Sequence, residues 1–240
     1  MSTYPPQFNQ QAYDYATHAS TSSRISLIMK RVYANMTLAL IVTAFISLFC
    51  SNSEAYLTFM VQNSWFQWVL VIALFGIVIG VSAGINKLST ATALLLFYAF
   101  SAVMGMWLSP IFVVYTGASI TKTFFITAGT FAGMSVYGFC TNRDLSRIGN
   151  FLIMALWGLI IASLVNIFTK SDTLSWIISI VGVFIFIGLT AWDTQQIKRL
   201  AAIAPSDTVG RLAVLGALNL YMDFINLFLF LLRFFGASRD

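Results

Sequence analysis

Seven apolar runs, each close to the length that crosses a bilayer, dominate this chain of 240 residues. A helix rises about 1.5 Å per residue, so about 20 apolar residues traverse the hydrocarbon core. The runs cover residues 32–49, 65–83, 89–108, 121–140, 149–168, 174–192 and 212–234. The third is expected to run on towards Tyr115, because Pro110 is tolerated in a membrane helix whose neighbours satisfy the carbonyl it frees. Trp65, Trp68, Trp107, Trp176 and Trp192 fall near run ends, where interfacial aromatics belong. The fold class expected is all-α: a membrane protein of seven transmembrane helices.

Composition narrows the function classes. Hydrophobic residues make up 59% of the chain and charged residues 9%, against roughly 25% charged in ordinary soluble domains. So few charges cannot cover a water-exposed surface. A water-soluble enzyme, a nucleic-acid module and a secreted disulfide scaffold are excluded. The net charge of +5 does not point to nucleic acid, because the basic residues sit in connections between apolar runs.

Residues 1–29 differ from the rest. They are polar and aperiodic, and they read as a disordered cytoplasmic tail ahead of a seven-helix domain over 30–240. They lack a basic region followed by an apolar stretch, so no cleaved signal peptide is expected. His18 in this tail has no neighbours for a metal site. With the tail inside, Arg24, Lys30, Arg31, Lys87, Arg143, Arg147, Lys198, Arg199 and Arg211 lie inside; Lys122, Lys170, Arg233 and Arg239 lie outside. That bias places the amino terminus in the cytoplasm and the carboxyl terminus outside. Cys50 and Cys140 then end spans on opposite faces and cannot pair.

Two acids stand apart from those in tail and connections. Asp193 ends the sixth run, in Thr190-Ala191-Trp192-Asp193-Thr194-Gln195-Gln196, and Asp223 lies deep in the seventh. Ionisable side chains at depth are costly and usually face a protein interior or a water path. Gly216, Asn219, Asp223 and Asn226 recur at helical spacing, a polar stripe on an otherwise apolar helix. Thr190, Asp193 and Gln196 form a shorter stripe on the sixth run. A short polar loop joins the two runs, so they are expected to pack as antiparallel neighbours. Their carboxyls then approach each other near the cytoplasmic side. Two close carboxyls can share one proton and hold two helices together; without it they repel and can bind a cation, calcium above all. The plainer reading leaves Asp193 solvated at a helix end, with Asn219 and Asn226 as interhelical hydrogen-bonding groups.

Ala191-Trp192-Asp193-Thr194-Gln195, followed by Ala217-Leu218-Asn219-Leu220-Tyr221-Met222-Asp223-Phe224-Ile225-Asn226-Leu227-Phe228, resembles the signature of the Bax inhibitor-1 family, the transmembrane Bax inhibitor motif proteins. The resemblance extends over about residues 25–236. It implies six helices surrounding a central seventh. It implies a calcium-permeable leak channel in an intracellular or bacterial membrane, here a bacterial inner membrane. It carries a pH-sensitive aspartate latch onto Asp193 and Asp223, with calcium as the permeant or weakly bound ion and no covalent cofactor. Relatives that suppress cell death, or modulate a membrane protease, imply an alternative: a non-conducting regulator that binds such a partner. One feature departs from the family. Bacterial relatives carry an arginine on the second helix, whereas the second run here has no cation and Lys87 follows it. Lys87 is the candidate salt-bridge partner, without the rigid fork of arginine.

An intramembrane aspartyl protease also pairs aspartates on its sixth and seventh helices. Such proteases carry Gly-x-Gly-Asp at the second one; here the residues are Leu220-Tyr221-Met222-Asp223. A non-enzymatic protein is therefore expected. A retinal receptor is excluded by the absence of a lysine in the seventh run.

Overall fold

A computed structural model describes the backbone of residues 6–85, 87–237 and 239, and side chains from Thr21 onward apart from Ser206. The tail's His18 and Asp14 lie outside the described side chains. The described chain is an all-α membrane protein with seven helical segments long and apolar enough to span a bilayer.

The elements are α1 (Pro6–Ser51), α2 (Glu54–Gln62), α3 (Ser64–Gly84), α4 (Thr90–Leu108), α5 (Ile111–Val114), α6 (Gly117–Cys140), α7 (Ser146–Thr169), α8 (Asp172–Ile203) and α9 (Val209–Phe235). A 3-10 turn at Ser206–Thr208 joins α8 to α9. Several starts are set by hydroxyl caps. Ser53, Ser89, Thr116 and Ser171 each accept a hydrogen bond from the amide three residues on. The bundle begins ahead of residue 30, since Ile28 and Met29 are already buried.

The third span does continue past Leu108, but it breaks into α4 and α5 at Ser109–Pro110. Pro110 has no amide to offer the Met106 carbonyl. Ser109 Oγ at 2.8 Å and Tyr56 OH at 3.0 Å donate to that carbonyl instead. Tyr56 belongs to α2, a short helix that the hydropathy pattern did not mark. Its role is thus visible: it answers a polar atom that proline exposes.

The hairpin of α8 and α9 forms the most extensive helix pair, and α9 also packs against α1, α4 and α6. Meanwhile α3 docks mainly on α4, and α7 mainly on α8. Tyr221 of α9 is fully buried. Its ring meets Phe97 and Phe100 of α4 edge-on, at 5.7 and 5.8 Å between centroids. Its hydroxyl pairs with Thr43 Oγ1 of α1 at 2.6 Å. One side chain thereby ties three spans. Cys50 is buried, Cys140 is exposed, and both thiols are free.

Close helix approach depends on particular glycines. A Cβ on Gly138 of α6 would strike the Ala191 carbonyl of α8. A Cβ on Gly158 of α7 would meet nothing within 4 Å. Gly138→Val is expected to cost about 1–3 kcal/mol or more through overpacking. Gly158→Ala is expected to be neutral or to gain up to about 1 kcal/mol from helix propensity. Unfolding of the two variants in detergent, against wild type, checks the contrast; equal effects would contradict the assigned α6–α8 contact.

Candidate functional site

Asp193 projects from α8 and Asp223 from α9, and the two carboxyls lie near enough to interact directly. Asp223 is 5% exposed. Its Oδ2 is buried and has no partner among the described residues. A buried acceptor left unmatched is costly.

The pair does not sit at a helix end. Sequence hydropathy placed Asp193 at the close of the sixth span, but α8 continues to Ile203. The run from Thr194 onward is polar, and tertiary contacts keep it helical. Gln195 is buried. Its Oε1 accepts from the Leu145 amide at 3.0 Å, and its Nε2 donates to the Arg143 carbonyl at 2.8 Å. One turn on, Arg199 donates to Asp144 Oδ1 at 2.7 Å and to Ser146 Oγ at 3.0 Å. Lys198 Nζ donates to the Phe139 carbonyl at 2.6 Å. These contacts clamp the α6–α7 connection onto α8, so α8 reaches about 15 Å beyond Asp193.

Beside the pair, a chain of hydroxyls crosses three helices. Tyr33 OH of α1 donates to Ser135 Oγ of α6 at 3.0 Å. Ser135 Oγ shares a hydrogen bond with Thr194 Oγ1 of α8, also 3.0 Å. Thr194 adjoins Asp193, so this chain fixes the local register of α8 against α1 and α6. Gly216 of α9 assists from the other helix: a Cβ there would press on Ile197 and Val32 at 3.1–3.2 Å.

The other sequence-derived candidates do not join the pair. Thr190 is buried and donates to Phe186 O within its own helix. Asn226 Nδ2 likewise donates to Met222 O, one turn back. Asn219 and Gln196 are exposed. Lys87 is exposed and makes no ion pair among the described residues. Gln195, Tyr33, Ser135 and Thr194 were missed. Gln195 carried a usable signal, since it lies one helical turn before Arg199. Tyr33 and Ser135 lie 102 residues apart, and no local pattern joins them. Among the described residues no group of three metal-ligating side chains assembles, so the aspartates stand as a two-carboxylate site.

Outside the membrane, Asp144 has a clear electrostatic setting. The Ser146 amide and hydroxyl, together with the Arg199 guanidinium, lower its carboxyl to about 2. A lowered folded value means that its contribution holds above the ordinary carboxylate range and is lost only as pH falls through about 2. Between mild acid and neutrality Asp144 stays ionised, and Asp144→Asn is expected to leave any pH response in that range unchanged. A shifted response in that variant would contradict this. Gln195→Ala strips partners from two backbone groups and is expected to cost about 1–3 kcal/mol. Faster amide exchange over residues 141–147 checks it; unchanged exchange would sink the clamp.

The chain is similar to known membrane proteins. The family described as Inhibitor of apoptosis-promoting Bax1 matches residues 25–240. Inner membrane protein YbhL of Escherichia coli K12 is 49% identical over 214 residues, covering 88% of this chain and 92% of that protein. A protein of Borreliella burgdorferi is 46% identical over 214 residues, with the same shares covered. Protein RP147 of Rickettsia prowazekii is 42% identical over 235 residues, 95% of this chain and 99% of the relative. With one family spanning the helical bundle from its first buried residues to its end, the chain belongs to the Bax inhibitor family of membrane proteins.

Proposed function

We propose that the chain is a pH-sensitive calcium leak channel in which Asp193 and Asp223 form the latch. The observation that carries this reading is the placement of two carboxyls near each other on adjacent helices, with Asp223 Oδ2 buried and without a partner among the described residues. A shared proton lets such a pair attract, and its loss makes the pair repel. The same oxygens suit a hard cation. Calcium takes about six to eight oxygen ligands, so two carboxylates favour transit over tight residence. Lys87 makes no ion pair among the described residues and is left out of this latch.

The proposed location is a bacterial inner membrane, supported by the relative YbhL, an inner membrane protein. The basic end of the bundle is assigned to the cytoplasm by the bias of lysine and arginine, which puts the carboxyl terminus outside. The reading is non-enzymatic.

The test is calcium entry into dye-filled liposomes that hold the purified protein, measured from acid to mildly alkaline pH. Wild-type entry is expected to change severalfold across that range, and Asp223→Asn is expected to flatten the profile. Entry insensitive to pH and to the substitution would overturn the proposal.

A further inference from the structure

α1 and α6 both pack on α9, yet a groove separates them along the basic half of the bundle. Its volume is about 830 Å³. Met29, Tyr33 and Leu40 line one wall; Phe131, Ala132 and Val136 line the other. Phe224 forms the floor, flanked by the rings of Phe124 and Phe131 at 5.6 and 5.5 Å. The lining is overwhelmingly apolar, and no acidic side chain contributes to it. A second cavity of about 350 Å³ continues towards the opposite end and meets the first at Leu40, Phe124 and Phe224.

Charge is confined to the basic mouth; deeper in, the hydroxyls are those of Thr37 and of the Tyr33–Ser135 pair that bridges the two walls. Ser26 and Lys30 stand at the mouth, both exposed. Lys30 makes no ion pair among the described residues. Lys198 adds a second cation nearby, 4.8 Å from the ring of the wall residue Phe139. From Lys30 to Leu40 the helix rises about 15 Å, half of a hydrocarbon core of about 30 Å. The groove thus matches one leaflet in depth, with apolar walls below and positive charge at headgroup height. So apolar a space holds water poorly and suits an acyl chain.

We propose that the α1–α6 groove binds one anionic phospholipid, its acyl chain lying on Phe224 and its phosphate paired with Lys30. The apolar length fixes the acyl chain, and the unpaired lysine at the mouth selects the charge of the headgroup. Neither aspartate lines this groove, and the proposal does not depend on the channel reading.

The test is native mass spectrometry of the full chain in detergent, titrated with phosphatidylglycerol or with phosphatidylcholine of the same acyl chains. Wild type is expected to retain one phosphatidylglycerol in preference to phosphatidylcholine. Lys30→Glu is expected to weaken phosphatidylglycerol retention by about tenfold and abolish the preference. Ala132→Trp, which fills the groove, is expected to remove retention of both lipids. Val165→Trp, on the exposed face of α7, is expected to change neither. Equal retention of the two lipids by wild type, or undiminished retention in Lys30→Glu, would overturn the proposal. So would an equal loss in Val165→Trp and Ala132→Trp. Lys30 is exposed, so its variant decides the question even if the tryptophan in the groove prevents folding.

Discussion

A polar group inside a bilayer has no water to turn to, so each one must be answered by another part of the protein. That constraint organises this bundle. The Met106 carbonyl, released by Pro110, receives hydroxyls from Ser109 and from Tyr56. The Tyr221 hydroxyl, fully enclosed, meets Thr43. Gln195 spends both ends of its amide on backbone groups of one connection. Three buried oxygens have no partner among the described residues, Ser47 Oγ, Thr123 Oγ1 and Asp223 Oδ2, and only the last belongs to an acid.

The surroundings of the pair hold it in place without neutralising it. Gly138 lets α6 approach the α8 backbone two residues before Asp193, and Gly216 lets α9 approach α8 and α1 on the near side of Asp223. The Tyr33–Ser135–Thr194 hydroxyls set α8 against two further helices. The basic side chains of α8 are occupied elsewhere, Lys198 with the Phe139 carbonyl and Arg199 with Asp144. The two acids lie at a helix contact that other residues make close, and in the proposed latch a change in their shared charge acts on the α8–α9 hairpin itself.

Much of this was legible in the sequence. The seven spans could be read from apolar length alone, and the deep aspartate from the cost of placing a charge there. The short polar loop marked α8 and α9 as neighbours. What was not legible depended on tertiary contact. Hydropathy ended the sixth span near Trp192, because the following residues are polar; their partners in the α6–α7 connection carry the helix to Ile203. Helical spacing grouped Asn219 with Asp223, yet Asn219 is exposed. The i, i+3, i+6 stripe selected Gln196, whereas the buried amide is Gln195. Lys87 followed from analogy with a family arginine, and the fold leaves it exposed with no ion pair among the described residues. The α2 helix was hidden because its purpose is to serve an atom in another span.

The central claim is that the aspartates act as one unit, and a double-substitution cycle on calcium entry tests it most directly. The pH response would be compared among wild type, Asp193→Asn, Asp223→Asn and the doubly substituted protein. Groups that act as a unit are strongly non-additive. The account predicts that either single change removes the pH response and that the second adds nothing. Independent, additive effects of the two substitutions would contradict it.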